Sequence, residues 1–201
     1  MTAHRILVAL TGASGSIYGL RLMEELVQRG YLLTVVASES GQLVCRDETG
    51  LDLSVDPLAA TSRLQKHLGV KLGVEVVAPD DLFVSSASGS AAPHAMIVAP
   101  CSMGTLARIA HGVSGNLIER SADVVLKEHR PLLLVPRETP LSQIHLENML
   151  KLAQAGARII PAMPGFYHKP ETIDDLVNFV VGKVLDQLGV PNDLFTRWGD
   201  R

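Results

Sequence analysis

A chain of 201 residues with 47% hydrophobic and 19% charged side chains is neither disordered nor collagen-like. It is long enough to bury roughly 70% of its unfolded surface without staples. Its 18 basic and 21 acidic residues leave a formal charge of −3, which gives nucleic-acid binding no electrostatic support. Two cysteines, Cys45 and Cys101, are too few for a disulfide framework and fit a reducing cytoplasm. The opening MTAHRILVALTGASG lacks a long apolar region, and no stretch of 18 apolar residues occurs. The expectation is a cytoplasmic protein without a membrane partner, one domain over residues 1–201 that ends in a tail from 189 to 201.

The apolar pattern alternates short runs with longer helical ones. Residues 6–10 read as a strand that ends at Thr11-Gly12, and 16–29 as a helix stopped by Gly30. Leu32–Ala37 is the second strand. Helices are expected over 42–47 and 57–68, with 51–56 irregular. Val74–Val77 and 82–84 are short strand candidates, and the small polar run 85–93 is a loop. Residues 95–99 form a strand ending at Pro100. A helix over 102–110, a glycine-rich turn and a helix over 117–129 follow. Residues 132–135 are a buried strand, 142–155 a helix and 157–160 the fifth main strand. Ile173–Leu188 is the closing helix. Continuous apolar strands separated by helices argue for a parallel sheet covered on both faces.

In such sheets ligands bind beyond the carboxyl ends of the strands, and here small or polar residues follow nearly every strand. The first loop, Thr11 to Ser16, lets backbone N–H groups approach a phosphate at a helix start. A tight turn that lets the helix pack is an equally good reading of GASG, which is neither GxGxxG nor a Walker loop. Ser38, with Glu39 just beyond, ends the second strand where a dinucleotide ribose would want an acid, and this favours a mononucleotide such as FMN. Ser102 and Thr105 either cap a helix or hold a ligand. Cys101 is either a nucleophile at a helix start or, as its residue type favours, a small buried residue. Seven scattered histidines offer no metal-ligand spacing. Lys127, Arg137 and Lys183 either converge near Tyr167 or, with Arg137 the exception, are solvated surface charges. Arg137 beside Glu138, at the mouth of a buried strand, suggests anion clamping and proton transfer.

The runs TGASGS-x-YGLRL and ASGSAAPHAMIVAPCSMGTLARIAHGVSGNLIERSADVVLKEHRPLLLVPRETPLSQIHLENMLKLAQAGARIIPAMPGFYHKP, with the tail PNDLFTRWG, resemble the flavin prenyltransferases, the UbiX-like family. The resemblance spans about Arg5 to Trp198. It implies an α/β fold with a doubly wound parallel sheet, flavodoxin-like or Rossmann-like. It also implies a dodecamer that joins the dimethylallyl group of dimethylallyl phosphate to N5 and C6 of reduced FMN without a metal. The product, prenylated FMN, serves UbiD-type decarboxylases. Carried over, Gly12, Ala13 and Ser14 match the FMN phosphate loop, and Ser38, Ser102, Met103, Gly104, Thr105 and Arg137 match further FMN contacts. Tyr167 matches a residue holding dimethylallyl phosphate. Lys183 stands where many relatives have Arg, which keeps the charge but loses the bidentate fork. Glu48 matches the acid near the flavin edge, and Ser88, Arg120, Lys127 and Glu138 match other active-site positions. Leu82-Phe83 stand where relatives often carry Trp, an aromatic face able to steady an allylic cation.

The resemblance assigns phosphate departure to Lys127, Arg137, Lys183 and Tyr167, and proton movement to Glu48 and Glu138. Its rivals are a flavin-dependent cysteine decarboxylase of the same superfamily, a carrier of prenylated FMN, and direct decarboxylation of aromatic acids.

Overall fold

The computed structural model describes residues 4–199. Met1 to Ala3, Asp200 and Arg201, which belong to the expected domain and tail, lie outside the described residues. The elements in chain order are β1 (Arg5–Leu10), α1 (Ser16–Gln28), β2 (Leu32–Ala37), α2 (Glu39–Thr49), α3 (Pro57–His67), β3 (Val74–Val77), β4 (Ala95–Cys101), α4 (Met103–Ala110), α5 (Leu117–Lys127), β5 (Leu132–Pro136), α6 (Gln143–Gln154), β6 (Arg158–Ile159) and α7 (Ile173–Leu188). The six strands form one sheet in the order β3-β2-β1-β4-β5-β6, and every pairing is parallel.

Side chains alternate across a strand, and β1 shows how this sheet uses both faces. Ile6, Val8 and Leu10 pack with Leu20, Met23 and Leu26 of α1 and with Val177, Val181 and Leu185 of α7. Leu7 and Ala9 join Leu106 of α4, Ile118 and Val125 of α5 and Leu152 of α6 on the other face. Each fully buried aliphatic side chain contributes about 1.5–3 kcal/mol, so a strand covered on both faces needs an unbroken apolar run. Helix α1 approaches β4 closely at Gly19, where a Cβ would stand 2.2 Å from the Ala99 carbonyl oxygen and 2.5 Å from Leu10 Cδ2. Gly19→Ala should therefore destabilise the fold by about 1–3 kcal/mol, read as a lower urea midpoint. An unchanged midpoint would contradict this packing.

Several elements depart from the expected pattern. Residues 82–84 form no strand: Asp81 N–H donates to Ala78 O at 3.2 Å, and Asp81 Oδ1 accepts from Phe83 N–H at 2.9 Å. That local turn occupies the groups a ladder would need, and it leaves Phe83 fully exposed. The 85–93 loop contains two short 3-10 turns, Ser85–Ala87 and Gly89–Ala91. Helix α2 begins at Glu39 because Ser38 caps it, its Oγ accepting from Gly41 N–H. Strand β4 runs on through Pro100 to Cys101, and β6 shrinks to Arg158–Ile159.

Candidate functional site: the switch point at the carboxyl edge

Strand order reverses between β1 and β4, and the crevice there is where parallel α/β sheets place ligands. A cavity of ≈ 470 Å³ lies at this point, lined among others by Gly12, Ser38, Ser102, Thr105, Arg108 and Asn116. Two helix starts face it. Ser38 caps α2 and Ser102 caps α4, the latter accepting from Thr105 N–H at 3.3 Å. The loop between them is tied down from below: Thr11 Oγ1 accepts from Ser102 N–H at 2.7 Å and donates to Pro100 O at 2.8 Å. Arg108 supplies a cation. Its Nε pairs with Glu119, a buried carboxylate that also accepts from Gly115 N–H at 2.9 Å and Asn116 Nδ2 at 3.0 Å. Helix-start amides, hydroxyls and one guanidinium are a donor set suited to a mononucleotide phosphate.

Beside this cavity the first loop meets the end of β5. Arg137 Nε donates to the Ser14 carbonyl at 3.0 Å, and Arg137 N–H donates to Cys101 O at 3.3 Å. Glu138, next along, is half-buried and accepts from Thr139 N–H at 3.1 Å. Glu48, from the last turn of α2, accepts from Gly15 N–H at 3.0 Å and Ser16 N–H at 2.8 Å. Partial burial works against its charged form. Hydrogen bonds from the Ser14 hydroxyl and the Ser16 and Gly15 amides outweigh that and hold its carboxyl below the usual carboxylate range. Glu48 is thus held as an anion at the start of α1.

Ala13 and Met103 are buried, while Gly104 is exposed at the start of α4. Complete burial pushes the Cys101 thiol up to about 12, so Cys101 is an inert packing residue rather than a nucleophile.

The family model described as Flavoprotein matches residues 1–185. The chain is 51% identical over 199 residues to the flavin prenyltransferase UbiX of Pseudomonas aeruginosa, covering 98% of this chain and 95% of that protein. This chain belongs to the flavin prenyltransferase family. Among solved structures, AnUbiX (PadA1) in complex with FMN and dimethylallyl pyrophosphate superposes with a TM-score of 0.87 at 39% identity, covering 98% of each chain. A dodecameric FMN-dependent UbiX-like decarboxylase from Escherichia coli O157:H7 gives 0.86 at 40% identity, covering 96% of this chain and 98% of that one.

Within one flavin prenyltransferase chain Lys127 stands apart from the other expected cations. Tyr167 lies after β6 on the same edge as Arg137, where Ala162 N–H donates to Pro136 O at 3.0 Å. Lys183 sits on α7, about 15 Å along the helix axis from its first residue, and pairs with Asp186 at 3.7 Å. Lys127 ends α5, which packs on the opposite face of the sheet. Because α5 runs back to the start of β5, Lys127 lies at the amino edge, about a strand length or ~17 Å from Arg137. There its Nζ meets Glu128 at 3.4 Å. Arg120 Nε donates to Ala87 O at 3.2 Å, and Ser88 shares a hydrogen bond with Ser90 at 3.1 Å. The expectation that Lys127 joins Arg137 and Lys183 near Tyr167 fails for a single chain, because α5, which carries Lys127, covers the face of the sheet opposite to α7 and ends at the amino edge.

Sequence reasoning missed Arg108 and Asn116 as cavity residues, and Glu119 as the carboxylate that holds Arg108. The available signal was the Gly115-Asn116 turn capping the LIER helix start, which places that turn at the carboxyl edge. The Glu48 geometry has a measurable consequence in acid. A carboxyl with a depressed folded-state pKa adds stability that is complete above its unfolded pKa of about 4.5 and is lost as pH falls through the folded value. Glu48→Gln should therefore shrink the stability difference between pH 6 and pH 3. An identical acid limb in the variant would contradict the helix-start role.

Proposed function

We propose that this flavin prenyltransferase joins the dimethylallyl group of dimethylallyl phosphate to N5 and C6 of reduced FMN and passes prenylated FMN to a UbiD-type decarboxylase. The carrying observation is the Arg137–Ser14 link, which sets a strand-end guanidinium beside the mononucleotide-sized cavity.

Ser38, Ser102, Thr105 and Arg108 would hold the FMN phosphate, with Gly12, Ala13 and Ser14 forming the adjoining loop wall. Bound reduced FMN would supply the nucleophilic nitrogen and ring carbon. Arg137 spends Nε on Ser14 and keeps its terminal nitrogens for an anion, so it stabilises the phosphate as its bond to carbon breaks. Tyr167 and Lys183 hold that phosphate from the α7 side. Glu138, adjacent to Arg137, takes or returns a proton at the phosphate oxygen, and Glu48 holds the second proton-carrying position at Ser14. These fixed cations do the work of drawing off phosphate without a metal ion.

Lys127, Arg120 and Ser88 act on the site of a neighbouring copy. The place of Lys127 at the far edge of its own chain, beside the Ser88-Gly89 segment, supports an assembly in which sites are shared, and the dodecameric relative supports its size. Two free, buried cysteines fit a cytoplasmic setting, and no described helix is long and apolar enough to cross a membrane.

The test is anaerobic incubation with reduced FMN and dimethylallyl phosphate or its diphosphate, in the presence of a chelator, followed by mass spectrometry of the released flavin. A five-carbon adduct formed beyond one equivalent per subunit is expected. Adduct limited to one equivalent would instead indicate a carrier. Loss of CO₂ from a peptide-like thiol without any adduct would indicate a cysteine decarboxylase.

A further inference from the structure

After α7 the chain turns at Gly189 and doubles back along the helix. Asn192 Nδ2 donates to Gly182 O at 3.3 Å and to Asp186 Oδ1 at 3.0 Å. Arg197 grips Asp186 with two prongs, NH1 to Oδ2 at 2.9 Å and NH2 to Oδ1 at 2.8 Å, and its guanidinium lies 5.3 Å from the Phe195 ring centre. The segment lies this close only because residue 182 has no side chain: a Cβ there would stand 2.6 Å from Phe195 Cε1 and 2.9 Å from Asn192 Oδ1. Phe195 packs against Phe179 with ring centres 4.9 Å apart. Beyond it, Trp198 meets Tyr167 edge-on at 5.3 Å, so Tyr167 is held between Trp198 and Phe179, the latter at 5.7 Å.

The carboxylate at the root of this arrangement has a second neighbour. Lys183 Nζ lies 3.7 Å from Asp186 Oδ2, the same oxygen that Arg197 NH1 engages. Two cations thus face one carboxylate, and the cluster keeps one net positive charge. While Arg197 occupies Asp186, the charge of Lys183 is left for an incoming anion. Without Arg197, Asp186 and Lys183 would cancel each other. The Arg197 hydrogen bonds also hold the Asp186 carboxyl below the usual carboxylate range against the effect of its partial burial.

We propose that residues 190–199 form a positioning strap for the allylic phosphate, in which Arg197 satisfies Asp186 so that Lys183 stays available, and Trp198 fixes the ring of Tyr167. The proposal rests on the assignment of Tyr167 and Lys183 to the donor. Asp186, Arg197 and Trp198 are positioning residues, acting through those two groups.

The chain has one tryptophan, so its emission reports the strap directly in the full-length protein. Trp198 is already exposed, so Arg197→Gln should lower the anisotropy of its emission and raise KM for dimethylallyl phosphate about tenfold, while the affinity for FMN stays within about twofold. Gly182→Ala, which changes no charge, should also lower the anisotropy of the emission by displacing Phe195. The diagnostic is the double variant: adding Asp186→Asn to Arg197→Gln should recover at least about threefold of the lost KM, because Lys183 is released again. A strap that merely stabilises the fold would give further loss instead. Unchanged anisotropy and KM in Arg197→Gln and Gly182→Ala would overturn the proposal, as would a double variant no better than the single one. If the unmodified enzyme forms no prenylated flavin, the functional reading fails, and the strap is judged on anisotropy alone: a fall in both variants upholds it, and its absence removes it.

Discussion

Arg137→Ala should lower turnover of reduced FMN and dimethylallyl phosphate by about a hundred- to a thousand-fold, the usual consequence of removing one preorganised donor from a developing anion. The structure explains why the loss should be this large. Arg137 leaves a buried strand, its backbone N–H is fixed on Cys101 O, and its Nε is fixed on Ser14 O. Two anchors hold the guanidinium plane before the substrate arrives, so little ordering remains to be done in the transition state. Arg137→Lys keeps the charge but cannot both bond Ser14 and present a fork, and it should recover only part of the rate. Initial rates of adduct formation by mass spectrometry decide the matter. An Arg137→Ala enzyme within tenfold of the parent would remove this residue from the mechanism.

Lys127→Ala should be nearly inactive as well, yet chains carrying it should rescue chains carrying Arg137→Ala. The two residues sit on opposite edges of the sheet in one subunit, so a site using both must draw them from two copies. Random co-assembly of equal amounts of the two variants should restore about a quarter of the parental activity, because that fraction of sites receives both intact groups. Co-expression with two different tags, tandem purification and the same adduct assay provide the measurement. Activity that stays at the level of the separate variants would mean that the site does not combine these residues across subunits.

The sheet was legible because burial on both faces leaves no choice of residue: RILVAL, LLTVVA and LLLVP each show at most one residue that is not buried. Helix starts were legible where Ser, Thr or Asn caps stand, as at Ser142 and Thr172, both of which form capping boxes. Apolarity misled at residues 82–84, where the preceding Asp81 bends the chain and its side chain takes the Phe83 amide. The cavity was legible as a set of strand ends, since topology alone brings Gly12, Ser38, Ser102 and Thr105 together. Arg108 was not, because it points into the cavity from the second turn of a helix and is held there by Glu119, eleven residues further on. The separation of Lys127 from Lys183 follows from which face each helix covers, and a residue pattern does not report that. The tail reads as polar sequence, and only the bare surface at Gly182 shows where it lies.

Both sulfhydryl groups, Cys45 in α2 and Cys101 at the end of β4, are sealed inside the protein. A dihydroflavin exposed to air generates peroxide, and peroxide attacks thiolates. Here it finds none within reach, and among the described residues Met163 is the most exposed sulfur. Oxidative wear during aerobic cycling therefore begins as a reversible thioether lesion at the surface and leaves the buried thiols intact.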